Sequence, residues 1–174
     1  RIAPDMSAAL WMTIRVSVLA VAAAVALGVL LTGLRLVGGP LVRGMIWLFV
    51  EFTRGVPPLV HISIVYFLLP QVGLLLSEFW TGVVALMLVG AGYTVEIFRS
   101  AVESIGKGQT DAARALGLSR WQVFLLVLMP QAVRRSLPPL TNELANVVKA
   151  SSLLSVSSVN DLTKVANDLI FETF

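Results

Sequence analysis

No cysteine occurs in the 174 residues, so neither a disulfide framework nor thiol chemistry is open to this chain. One histidine is present, His61, and no paired acids share a helix face, so no metal site is expected and a membrane-embedded enzyme is a weak reading. Charge is scarce too: 13% of the residues are charged against 57% hydrophobic, and a mean hydropathy of +0.87 lies outside what a soluble domain tolerates. Nucleotide motifs are missing. Gly106-Lys107-Gly108 lacks both the upstream glycine and the following Ser or Thr of a P-loop, and Gly90-Ala91-Gly92 has Val95 where the dinucleotide fingerprint needs its third glycine. Close helix packing accounts better for Gly90 and Gly92. The first apolar segment is too long for a signal core and has no short basic leader, so no cleavable signal peptide is expected. No convincing repeat relates the two halves, which disfavours a secondary transporter or channel fragment. An initiator Met and a closing basic tail are lacking, so a trimmed chain is expected.

What is present is a series of apolar segments near the roughly 20 residues that a helix needs to cross a hydrocarbon core of about 30 Å. The first is Val16 to Leu34, preceded by Trp11 and Arg15 as an aromatic anchor and a snorkelling cation. The second, about Gly44 to Leu69, is broken by Glu51, Arg54, Pro57 and Pro58. Val56 to Leu69 alone would rise only about 21 Å, so Glu51 and Arg54 are expected at one membrane edge. The third is Phe79 to Phe98, with Glu96 near its end. The fourth, about Ser136 to Val159, carries Asn142, Glu143, Asn146 and Lys149 and must face protein or water. The fold class expected is therefore all-α, a polytopic transmembrane helical bundle. Arg35 and Arg43 lie in the first connection and Arg99, Lys107, Arg114, Arg120, Arg134 and Arg135 in the third, whereas Pro70 to Glu78 holds no Lys or Arg. The positive-inside rule puts the basic connections in the cytoplasm and the amino terminus outside. The net charge of +3 restates that bias and is no sign of nucleic acid.

Between the third and fourth spans lies a soluble-looking island, Arg99 to Arg135. Thr110 can cap a helix of about two turns, Asp111 to Leu116, with Asp111 in its first turn favourable to the helix dipole and Gly117 ending it in the left-handed conformation. Ser119 and Gln122 make a capping box for a second helix, whose apolar face is Trp121, Phe124 and Leu125 and which Pro130 is expected to interrupt. Ala112, Ala113 and Ala115 would let the short helix sit deep in a partner's groove, with Leu116 as an apolar knob. Too short to be stable alone, it must be held by packing.

Asp111-Ala112-Ala113, Gly117, Val127, Met129 and Pro130 resemble the EAA loop of permease subunits of binding-protein-dependent ABC importers: Glu-Ala-Ala, three residues, Gly, nine residues, Ile, one residue, Leu-Pro. The spacing matches throughout, with Asp for Glu, Val for Ile and Met for Leu. Trp11-Met12-Thr13 with Ser17, Glu51-Phe52-Thr53-Arg54-Gly55-Val56-Pro57, Glu96-Ile97-Phe98-Arg99-Ser100, Pro130-Gln131-Ala132 and Leu137-Pro138-Pro139-Leu140-Thr141-Asn142 are similar to the polar amino acid branch, which includes histidine, glutamine, glutamate and arginine permeases. The resemblance covers nearly the whole chain as a single permease domain, 1–174. It implies five spans, the fifth following Phe174, in a prokaryotic cytoplasmic membrane. It also implies partners: a cytoplasmic ABC ATPase dimer carrying the ATP and Mg, a second permease subunit (a copy or a homologue), an extracytoplasmic solute-binding protein, and an amino acid substrate. This chain would bind no cofactor itself. The helix Asp111 to Leu116, with Arg114 and Gly117, would couple to the ATPase groove and tilt the spans as the ATPase closes.

Candidates for the pathway are His61, Glu96, Asn142, Asn146 and Lys149. Asn142, Asn146 and Lys149 fall at i, i+4 and i+7 and share one helix face. Exposing Lys149 to lipid would cost at least about 2.5 kcal/mol; it either lines the pathway or pairs structurally with Glu96 or Glu143. Glu96 either contacts substrate or pairs with Arg99 one turn on. His61 is either a pathway contact or a packing residue. Arg54, Gly55 and Pro57 form a bend or gate, or a simple helix break.

Overall fold

A computed structural model describes residues 2–156 and 162–173, and every element in them is helical. Helix α1 (Ile2–Val37) and, after a turn at Gly38 and Gly39, α2 (Pro40–Gly55) form a hairpin; Pro40 suits the first helical position because an N–H there has no partner to lose. Helix α3 (Pro58–Gln71) follows α2 at a bend of 108°. The break has a local cause: Pro57 and Pro58 bring no N–H, and Val56, before a proline, is forced to an extended φ −94°, ψ 133°. Helix α4 (Glu78–Glu103) is central, α5 (Lys107–Ala115) is short, and α6 runs unbroken over residues 120–150. A 3-10 turn (Ser151–Val156) and α7 (Leu162–Thr173) complete the described chain.

Among the described residues two helices, Met6–Val37 and Glu78–Glu103, are long and apolar enough to cross a membrane, with a third if the bent pair α2 and α3 counts as one span. The fourth expected span is helical through Ala150, yet too polar to meet that test, and its expected end at 157–159 lies outside the described residues. No helix was expected over Leu162–Thr173, where α7 forms. Pro130 does not interrupt α6, contrary to expectation. A π-helical segment, Val123–Leu128, precedes it and closes with Met129 N–H donating to Phe124 C=O, so the missing proline N–H falls where the ladder is already displaced. Pro70 is absorbed the same way behind Ile64–Leu68.

The contacts of α4 set the topology. Arg15 lies over the Phe79 ring at 5.2 Å and Gly28 packs on Thr94, so α1 and α4 run parallel. Thr53 meets Gly92 while the earlier Ile46 and Val50 pack with the later Val95, and Val147 meets Gly90 while the earlier Arg135 reaches Ser104, which makes α2 and α6 antiparallel to α4. Lipid gives apolar helices no hydrophobic reason to associate, so such contacts depend on small residues. A Cβ added at Gly28, Gly90 or Gly92 would stand 2.4, 2.7 or 2.0 Å from those neighbours. Close packing is thus what Gly90 and Gly92 serve. The Thr32 hydroxyl, 2.8 Å from Gly28 C=O and 3.2 Å from Val95 C=O, ties α1 to α4. At the opposite end, Leu162 N–H donates to Thr13 Oγ1 at 3.0 Å, returning α7 to the start of α1.

The Arg54 guanidinium lies 5.4 Å from the Tyr93 ring centroid, ten residues before α4 ends at Glu103, or about 15 Å of helix. Arg54 and the bend therefore sit part-way along α4, and α3 continues along the bundle by packing Ile62 and Val65 with Val16, Ala20 and Leu86.

Candidate functional site

The island folds into a tightly held part. Helix α5 begins at Lys107 with Gly106 as N-cap, since only Ser104 to Gly106 link it to α4; Thr110 and Asp111 lie inside the helix rather than at its cap and first turn. Its end is as expected. Gly117 has φ +83°, Gly117 N–H donates to Arg114 C=O at 2.9 Å and Leu118 N–H to Ala113 C=O at 3.2 Å, the paired bonds of a Schellman stop. Ser119 then starts α6 through the full capping box with Gln122 (3.3 and 2.9 Å).

Ala113 faces inward. It is 4% exposed and packs with Val102, Ile105, Phe124 and Leu128, because its small side chain lets α5 lie close on α4 and α6. Asp111, Ala112, Arg114, Ala115 and Gly117 are exposed, and Leu116 is 83% exposed at the tip. Trp121 and Phe124, ring centroids 5.3 Å apart, close on Gly33 of α1; a Cβ there would meet them at 2.7 and 2.6 Å. The short helix thus leans on α4 and α6, and α6 in turn on α1.

A second feature is a cavity of about 440 Å3 lined by Arg54, Tyr93, Glu96, Ser100, Arg135 and Pro139. Glu96 is half-buried and bound to Arg99, whose Nε donates to Glu96 Oε2 at 2.9 Å and whose guanidinium also pairs with Glu103. Arg135 donates to Ser104 Oγ at 2.8 Å, fastening α6 to the end of α4. Arg135, Pro139, Asn142, Asn146 and Lys149 recur at intervals of four, three, four and three residues, so they share one face of α6. That face is exposed, whereas Glu143, on the neighbouring face, is buried and accepts from Asn146 Nδ2 at 3.4 Å. Among the described residues Lys149 pairs with neither Glu96 nor Glu143.

Compared with known proteins, residues 24–166 match the family described as binding-protein-dependent transport system inner membrane component. The chain belongs to this family. It is a permease subunit of an ABC transporter. It is 38% identical over 165 residues to the glutamine transport system permease protein GlnP of Escherichia coli K12, covering 94% of this chain and 75% of that one. It is also 38% identical over 154 residues to the "Probable amino-acid ABC transporter permease protein YckA" of Bacillus subtilis, covering 88% and 68%. A crystal structure of an amino acid ABC transporter with histidines superposes with a TM-score of 0.83 at 31% identity, covering 98% of this chain and 79% of that one.

Within the permease, the structure brings Arg54 and Glu96 to one cavity and sets Asn142, Asn146 and Lys149 on the stripe that leads from it. His61 stands apart. It is 1% exposed, its ring is edge-on to Phe52 at 5.5 Å, and both ring nitrogens lack a partner among the described residues. Gly55 and Pro57 are exposed at the bend. Sequence reasoning missed Tyr93, Ser100 and Arg135 as cavity residues. Arg135 was legible as the residue seven before Asn142 on the same helix face, had the fourth span not been expected to begin at about Ser136.

Proposed function

We propose that this permease serves an ATP-driven importer for a polar amino acid, with its amino terminus outside the prokaryotic cytoplasmic membrane. The observation that carries the reading is the stripe Asn142, Asn146 and Lys149, exposed on a helix that packs against the central span α4. Charge and amides on such a face are too costly for lipid, so the face borders a water-filled path shared with a second permease, a copy or a homologue. Glutamine is the substrate named for the Escherichia coli relative, and an amino acid bearing both an ammonium and a carboxylate suits a cavity holding Arg54, Glu96 and Arg135. The bend at Arg54, Gly55 and Pro57, beside that cavity, acts as its gate.

Helix α5, with Asp111 to Gly117 as the EAA-like segment, is the coupling element. Leu116 and the exposed face of Asp111, Ala112, Arg114 and Ala115 seat in a cytoplasmic ATPase, one of a pair, while Ala113 transmits its motion to α4 and α6. ATP and Mg belong to that ATPase, this chain holding no cofactor of its own, and an extracytoplasmic binding protein delivers the amino acid. In the complete complex reconstituted in liposomes, Lys149→Met and Glu96→Gln should lower transport while the ATPase still co-purifies, and His61→Ala should do so if its free ring nitrogens meet the solute. Unchanged affinity and transport in all three variants would remove the site, and failure of any ATPase to co-purify would remove the coupling.

A further inference from the structure

Arg35 and Arg43 stand at the cytoplasmic ends of α1 and α2 and form no salt bridge among the described residues, Arg35 acting on Glu96 only at longer range, whereas Arg99 beside them is paired with Glu96 and Glu103. Arg43 donates its Nε to Arg35 C=O at 3.2 Å, which fixes it across the hairpin. Together with Thr32, Arg99 and Glu103 they line a cavity of about 360 Å3 between α1, α2 and α4. Positive-inside bias explains cationic loops, but it does not explain a cavity built around them. The same hairpin carries a groove of about 420 Å3, walled by Leu27, Leu31 and Leu34 of α1 and Val42, Met45 and Phe49 of α2. Leu34 and Val42, at its end, directly precede Arg35 and Arg43 in the chain.

We propose that this hairpin holds one anionic phospholipid, its phosphate on Arg35 and Arg43 and an acyl chain in the groove. Carbon walls beside guanidinium groups that form no salt bridge match the two halves of a phospholipid and nothing water-soluble. Arginine gives the phosphate paired N–H donors, so the contact is directional as well as cationic. Arg99 and Glu103 border the headgroup, and both lie on α4 just ahead of α5, so a bound lipid braces the segment that leads into the short helix. The inference rests on the reading of α1 and α2 as membrane-crossing and on no assignment of substrate.

The test is native mass spectrometry of the whole complex released from nanodiscs containing phosphatidylglycerol or phosphatidylcholine, with inorganic phosphate as a separate competitor. Phosphatidylglycerol should be retained over phosphatidylcholine by roughly thirtyfold, the product of two cationic contacts at a membrane surface. Inorganic phosphate should not displace it, because it cannot use the groove. The double variant Arg35→Gln, Arg43→Gln should lose the preference, and the Arg→Lys pair should keep most of it. Met45→Trp, which fills the groove and leaves both arginines, should lose the lipid as well; it serves if the Gln pair does not assemble. Equal retention of the two lipids, or retention in Met45→Trp, overturns the proposal. So does crosslinking of Met45→Cys to a second permease in place of a lipid. Coupled transport by the same preparations reports separately on the function proposed above.

Discussion

Substituting Gly117 isolates one physical quantity. Its φ is +83° and nothing lies within 4 Å of a Cβ built there, so an alanine meets no clash and bears only the left-handed backbone penalty, about 1–2 kcal/mol. That corresponds to roughly five- to thirtyfold in the equilibrium for closing the turn. Asparagine, which tolerates this region better, should fall between glycine and alanine. Proline cannot reach a positive φ and removes the N–H that donates to Arg114 C=O at 2.9 Å, so it should cost about 3 kcal/mol or more and release the Schellman stop. The assay is ATP hydrolysis by the reconstituted complex, with and without loaded binding protein, alongside a check that each variant inserts. Stimulation should decline in the order Gly, Asn, Ala, Pro, and vanish for Pro. Wild-type stimulation in Gly117→Pro, or alanine outperforming asparagine, would refute the argument that this turn geometry holds α5 for coupling.

Ala113→Leu overfills the contact of α5 with Val102, Ile105 and Phe124 and should lower the melting free energy by about 1–3 kcal/mol, while Ala112→Leu on the exposed face should leave the melt unchanged; equal melts would remove Ala113 from the core. Leu116→Asp should leave the melting temperature of the purified permease intact, since the side chain is 83% exposed, yet abolish ATPase co-purification; retained ATPase would take the knob out of the interface. Gly92→Val drives a Cβ to 2.0 Å from Thr53 Oγ1, a hydroxyl held at 2.9 Å from Phe49 C=O, and should cost at least about 1–3 kcal/mol, partly recovered by Thr53→Ala. A detergent melt of the single and double variants reads this directly, and additive losses would show that the two residues do not meet.

The amino-acid order alone determined several features because each depends on neighbours close in sequence. Apolar runs fixed α1 and α4, Gly117 and the Ser119/Gln122 box fixed the turn after the short helix, and the period of α6 fixed the common face of Asn142, Asn146 and Lys149. The membership in the ABC permease family was also legible there, in the spacing from Asp111 to Pro130. Other features required the tertiary structure. Whether Pro130 ends a helix depends on a π-helical turn that packing stabilises, and propensity reads only the missing N–H. The depth of Arg54 depends on which residue of α4 it meets, and Tyr93 is thirty-nine positions away. Ala113 points inward because α5 lies on α4 and α6, a contact invisible in a run of alanines. Local rules set where helices turn and which faces they present; only the packed bundle decides which of those faces are covered and which remain for a path, a partner or a lipid.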